Sequence, residues 1–111
     1  MTGSDDPERT AQAFTIAATA VASGVEVSLW LASEATTLAL PGRAESFELP
    51  HSALLHELRD AILSAGSITV CTQCAVRRNI SEADLIAGIS IKGAASFVAE
   101  IMDEGVQVLV Y

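Results

Sequence analysis

Basic side chains are scarce in this 111-residue chain: six Lys and Arg stand against 14 Asp and Glu, for a net charge of −8 and an isoelectric point near 4.4. Binding a phosphate backbone requires clustered cations. Arg9, Arg43, Arg59, Arg77, Arg78 and Lys92 are scattered, apart from one adjacent pair, so no nucleic-acid surface is expected. Histidine is equally sparse. His51 and His56 lie five apart, poorly placed to share a helix face, and no second Cys-x-x-Cys accompanies them. A structural zinc site needs four ligands, so neither a metal nor any other cofactor is expected within one chain. Long apolar runs are missing too. None approaches the ~18 residues of a membrane span, and residues 1–9 are polar and acidic, unlike a signal peptide. These absences predict a cytoplasmic protein with no membrane partner.

The chain is nevertheless rich in apolar side chains. Half of its residues are hydrophobic and 18% are charged, against about 25% in an ordinary soluble domain, and the mean hydropathy is +0.42. One domain spanning residues 1–111 would bury only about two-thirds of the surface that its unfolded chain exposes. The apolar surplus therefore needs a second place to go, and subunit contacts in a homo-oligomer provide one. The acidic balance serves mainly solubility, with some scope for docking a basic partner protein.

Alternating helical and strand-like patterns organise the sequence. Asp5-Asp6-Pro7-Glu8 supplies an acidic N-cap, a proline at the first helical position and an acid in the first turn, predicting a helix that runs to about residue 23 and stops at Gly24. Residues 25–31 alternate as a strand. Pro41-Gly42 breaks the next stretch, within which residues 34–40 suit a short helix. Leu54, Leu55, Leu58, Ala61, Ile62 and Ala65 recur at helical spacing, giving a second helix over residues 52–65. Residues 67–71 form a strand, and Ile89 and Ile91 mark a short one ending at Gly93. A third helix covers residues 94–104, and residues 106–111 are expected as a last strand. Such alternation is best satisfied by a layered α/β fold with a mostly parallel sheet and helices on both faces. Only residues 1–4 precede the first helix cap, so either a strand is missing upstream or the sheet is short.

Both cysteines fall in one turn, Val70-Cys71-Thr72-Gln73-Cys74, followed by Arg77-Arg78. An apolar strand leads into Cys71, and Cys74 is expected to open a short helix ending near Asn79. A thiol at such a junction meets unpaired backbone N–H groups around Thr72 and Gln73 and the positive end of a helix dipole. Helix N-termini, nearby cations or a Cys-x-x-Cys spacing can bring a thiol from about 8.5 to roughly 3.5 to 7.5. Cys71 and Cys74 are thus the candidate reactive thiols, with the order of their pKa values open. Thr72, Gln73, Arg77 and Arg78 are candidates to stabilise an anion. Three readings stay open on these residues: sulfur chemistry, dithiol-disulfide exchange, and a non-catalytic oligomeric module whose cysteines are small packing residues. None of the three prolines follows the motif, which weighs against a thioredoxin-like site.

The order of strand, Cys71, Cys74, Arg77-Arg78, then Glu82-Ala83-Asp84-Leu85 and Gly88-Ile89 resembles the DsrE/DsrF-like sulfur-relay family. The acidic helix start and the closing apolar segment extend the likeness over nearly the whole chain. Asn79 stands where the family typically has glycine. The resemblance implies a three-layer, flavodoxin-like sheet, whose usual first strand has no counterpart upstream of the first helix here. It also implies a persulfide carrier or sulfurtransferase working through Cys71, with Cys74 matching a cysteine found in some members only. Protein sulfur donors and acceptors are the implied partners, and trimers or hexamers the implied assembly.

Overall fold

The acidic helix start forms as the capping pattern predicts. In the computed structural model, which describes residues 1–3 and 5–111, helix α1 (Pro7–Ala22) begins with Asp6 Oδ1 accepting from the N–H groups of Glu8 and Arg9 at 2.9 and 3.4 Å. Two first-turn donors that lack carbonyl partners are thereby satisfied. Gly24 then turns the chain with φ +82°, a conformation that a residue with a Cβ resists.

Three parallel strands, β1 (Ser28–Leu31), β2 (Ser67–Cys71) and β3 (Ser90–Lys92), lie in the order β1-β2-β3. Between them run α2 (Leu55–Ala65), α3 (Thr72–Arg77) and two 3₁₀ segments, Ser33–Ala39 and Glu82–Asp84, and α4 (Ala94–Ile101) follows β3. Register pairs Leu29 with Ile68, Trp30 with Thr69, Leu31 with Val70, and Cys71 with Lys92. Side chains alternate across a strand, so Leu29, Leu31, Ile68 and Val70 share one face. There they join Phe14, Ala17 and Ala18 of α1 and Leu55 and Ile62 of α2 in the core. Phe14, Leu31, Leu55, Ile62, Ile68 and Val70 are all at most 1% exposed, and at about 1.5–3 kcal/mol for each such side chain this face carries most of the burial energy. Trp30 and Thr69 belong to the opposite face, where Trp30 meets Phe97 of α4 edge-on at 5.2 Å between ring centroids. Its Nε1 donates to Glu100 Oε2 at 3.2 Å. No residue of α4 is fully buried, so this aromatic pair and its polar tie hold α4 in place of a broad apolar seam.

Several element ends differ from expectation. Strand β1 begins at Ser28 instead of 25, because Val25 N–H still bonds to Ala20 O at the end of α1. Helix α2 starts at Leu55, later than the expected 52, after a turn at His51 with φ +62°. Helix α4 ends at Ile101 instead of 104, where Asp103 N–H turns back to Glu100 O. Residues 106–111 form no regular strand. They run beside the first residues instead: the Met1 amine donates to Leu109 O, Tyr111 N–H to Met1 O and Gly3 N–H to Tyr111 O. Thr2 in turn bridges in parallel to Leu31, so residues 1–3 lie along the edge of β1 that β2 does not occupy. Among the described residues no helix is long and apolar enough to cross a membrane.

Candidate functional site

Strand β2 is the middle strand, and its carboxyl end delivers Cys71 between the ends of β1 and β3. In open parallel sheets the carboxyl ends of strands border the crevice where ligands bind. Cys71 is itself the N-cap of α3, in extended conformation at φ −64°, ψ 126°. The helix therefore starts at Thr72, and Cys74 lies inside its first turn instead of opening it. That shift gives the two thiols different surroundings. Cys71 is half-buried, whereas Cys74 is buried at 6% exposure.

The cysteines approach to 3.4 Å. Burial pushes the Cys71 thiol up, but hydrogen bonds from the Cys74 backbone, the Cys74 side chain and the Gln73 backbone, joined by the positive charge of Arg77, outweigh it and hold Cys71 below its ordinary value. Each of these groups favours the thiolate. Gln73 thus acts through its main chain, its side chain being exposed. Thr72 is exposed at the helix start, its Oγ1 beside the backbone of Gly93.

The two arginines part company. Arg77 is exposed and its charge acts on Cys71. Arg78 turns the other way: its Nη1 donates to Cys74 O at 3.2 Å and its Nη2 pairs with Glu34 Oε1 at 2.9 Å. Behind them Asn79 adopts φ +53°, the left-handed turn that asparagine tolerates better than most residues. Glu82 and Asp84 do not engage the arginines in any ion pair among the described residues. Asp84 instead accepts from the N–H and hydroxyl of Ser81, closing a capping box.

Sequence spacing missed three residues here. Ser33 N–H donates to Cys74 Sγ at 3.1 Å across 41 positions, and Glu34 supplies the partner of Arg78. No local pattern marks either residue, because the contact exists only once β1 and β2 pair. Lys92 faces Cys71 in register, and its place just before the Gly93 that ends β3 was the available signal. Among the described residues no group of three or more His, Cys, Asp or Glu is arranged to hold a metal ion.

A sequence model of the DsrE/DsrF-like family matches residues 1–111. Among solved structures, the crystal structure of the YchN protein from E. coli is similar with a TM-score of 0.74 at 18% identity, covering 99% of this chain and 93% of that one. At that identity the likeness speaks to the fold. No curated protein matches the sequence.

Proposed function

The chain belongs to the DsrE/DsrF-like family, and from that premise we propose that it is a cysteine-based sulfur carrier, a sulfurtransferase whose working thiol is Cys71. The thiolate attacks the outer sulfur of a donor protein's persulfide. A bond forms between Cys71 Sγ and that sulfur, the donor's bond to it breaks, and the donor leaves as a thiolate. An acceptor thiolate then attacks the outer sulfur of Cys71–S–SH, takes it, and restores the Cys71 thiolate. Thiols alone carry this chemistry. Should no acceptor arrive, Cys74 as a thiolate attacks the inner sulfur, expels hydrosulfide and leaves a Cys71–Cys74 disulfide, which an external dithiol must reduce.

The observation that carries the reading is the thiol of Cys71, half-buried at the end of the middle strand and held below its ordinary pKa by hydrogen-bond donors and Arg77. The N–H groups that stabilise its thiolate suit a persulfide anion equally well, with Arg77 adding positive charge. Incubation with a persulfide donor followed by intact-mass measurement tests it. A one-sulfur adduct that disappears in Cys71→Ser is expected, and its absence from the wild type rules the carrier role out.

A second reading, a dithiol redox protein, is favoured by the 3.4 Å approach of the cysteines. The same mass measurement separates the two, since oxidation removes two hydrogens where loading adds a sulfur. The proposed carrier works in the cytoplasm as a homo-oligomer, a trimer or hexamer. Val98 on α4 and Met102 at its C-cap, 52% and 76% exposed, support burial of that face by another subunit.

A further inference from the structure

We propose that the Ser33 N–H, aligned with the help of the Glu34–Arg78 ion pair, is a positioning device for Cys74 and, through Cys74, for Cys71. The inference rests on Cys71 being the working thiol. Ser33 opens the 3₁₀ segment that follows β1, and its φ of +47° is left-handed. For a residue other than glycine this costs on the order of 1–2 kcal/mol, so something must hold it there. The strained backbone aims its N–H at Cys74 Sγ, 3.1 Å away. With Cys74 only 6% exposed, water competes little for that sulfur.

A second tie fixes the same two elements. Glu34 is next to Ser33, and Arg78 lies one helical turn beyond Cys74. Their 2.9 Å ion pair, with Arg78 also donating to Cys74 O, joins residues 33–34 to residues 74–78 at both ends. Glu34 is 59% exposed at its side chain. An exposed pair contributes about 0–1 kcal/mol to stability, too little to explain the arrangement as a fold-holding bond. What it fixes is direction. The two cysteines approach to 3.4 Å, within reach of a bond from the Cys74 S–H to a Cys71 thiolate, and a donor placed into the Cys74 sulfur strengthens a bond that its own S–H gives onward. Ser33 N–H, Cys74 Sγ and Cys71 Sγ therefore form a chain that reaches the nucleophile from another element of the fold.

The charged and titratable groups facing this chain are Arg77 on the same helix as Cys74, Lys92 across from Cys71 on β3, and Glu34 with Arg78 beside Cys74. Glu34→Ala gives a test of opposite signs. Removing an anion favours a thiolate by relief of like-charge repulsion and would, on that ground alone, lower the pH midpoint of Cys71 alkylation. Loss of positioning raises it instead, slowing alkylation at neutral pH roughly twofold to fivefold, since one pH unit of midpoint is tenfold in thiolate. An exposed side chain of this kind is replaceable without unfolding the chain.

Alkylation of Cys71 by iodoacetamide is read by peptide mass across pH, for Glu34→Ala in the wild-type and in the Cys74→Ala background. The expected result is a raised midpoint in the first and an unchanged or slightly lowered one in the second, because the positioning link runs through Cys74 and only the loss of the anion remains without it. A midpoint unchanged or lowered in the first background, or raised equally in both, overturns the proposal. Persulfide loading of the wild type is measured in parallel. If Cys71 takes up no sulfur the carrier reading fails, whereas a failed midpoint shift with normal loading removes only the positioning role.

Discussion

Cys71 and Cys74 stand 3.4 Å apart, yet Cys74 is buried and Cys71 is reachable from solvent. Only the second of these conditions lets a bulky electrophile or a partner's persulfide approach. Cys71 should therefore alkylate at least about tenfold faster than Cys74 at neutral pH, with a midpoint below its ordinary value. Linkage gives the sign of the stability effect. A thiol with a depressed folded value contributes stability that is present above its unfolded value and lost as pH falls through the folded one. The denaturant midpoint of the wild type relative to Cys71→Ser should accordingly rise with pH between those two values. Peptide-mapped alkylation and denaturation at several pH values check both statements.

Gly66 caps α2 where the chain enters β2. A Cβ added there would lie 2.7 Å from Val27 O and 3.0 Å from Ile62 O, both backbone atoms that cannot rotate away. Gly66→Ala is expected to destabilise by about 1–3 kcal/mol through overpacking, read as a lower thermal or denaturant midpoint. It moves the strand that ends in Cys71, so persulfide uptake should weaken with it.

Arg59 is 8% exposed and reaches Glu45 and Asp60, fixing the irregular stretch before α2. Its hydrogen bond, the largest influence on Glu45, holds that carboxyl below its ordinary value. Arg59→Ala should lower Tm by about 3–8 °C. Because Glu45 has a depressed folded value, its contribution is present above the ordinary carboxylate range and lost as pH falls through the lowered value. The Tm gap between wild type and variant should therefore narrow from about pH 6 to pH 3, and thermal melts across that range measure it.

The exposed face of α4 bears on assembly. Val98→Asp combined with Met102→Glu places two charges on that face while leaving the Trp30–Phe97 contact intact. Light scattering behind size exclusion should give a multi-chain mass for the wild type and a single-chain mass for the variant. A wild type of single-chain mass contradicts the proposed homo-oligomer.

How much of this was legible in the sequence depends on how far each signal reaches. The Asp6-Pro7 helix start, the Gly24 stop and strand β2 over residues 67–71 come from neighbouring residues and fall where expected. Asn79 stands where the family typically has glycine, and its φ of +53° is one that glycine adopts freely. Element ends were less legible: nothing local reveals that Val25 N–H remains bonded to the end of α1, or that the end of the chain pairs with residues 1–3 instead of forming a regular strand. Within the site, the Cys71–Cys74 turn was visible because its parts are adjacent. Ser33 and Glu34 were not, since they reach Cys74 and Arg78 only through the parallel pairing of β1 with β2. The divergence of Arg77 from Arg78 was hidden for the same reason, as it is Glu34 that draws Arg78 away.

The most direct test locates the transferred sulfur. After loading from a persulfide donor and trapping by alkylation, tandem mass spectrometry of the peptide carrying both cysteines should place the extra sulfur on Cys71, in the wild type and in Cys74→Ala alike. Sulfur found on Cys74, or on neither residue, contradicts the account.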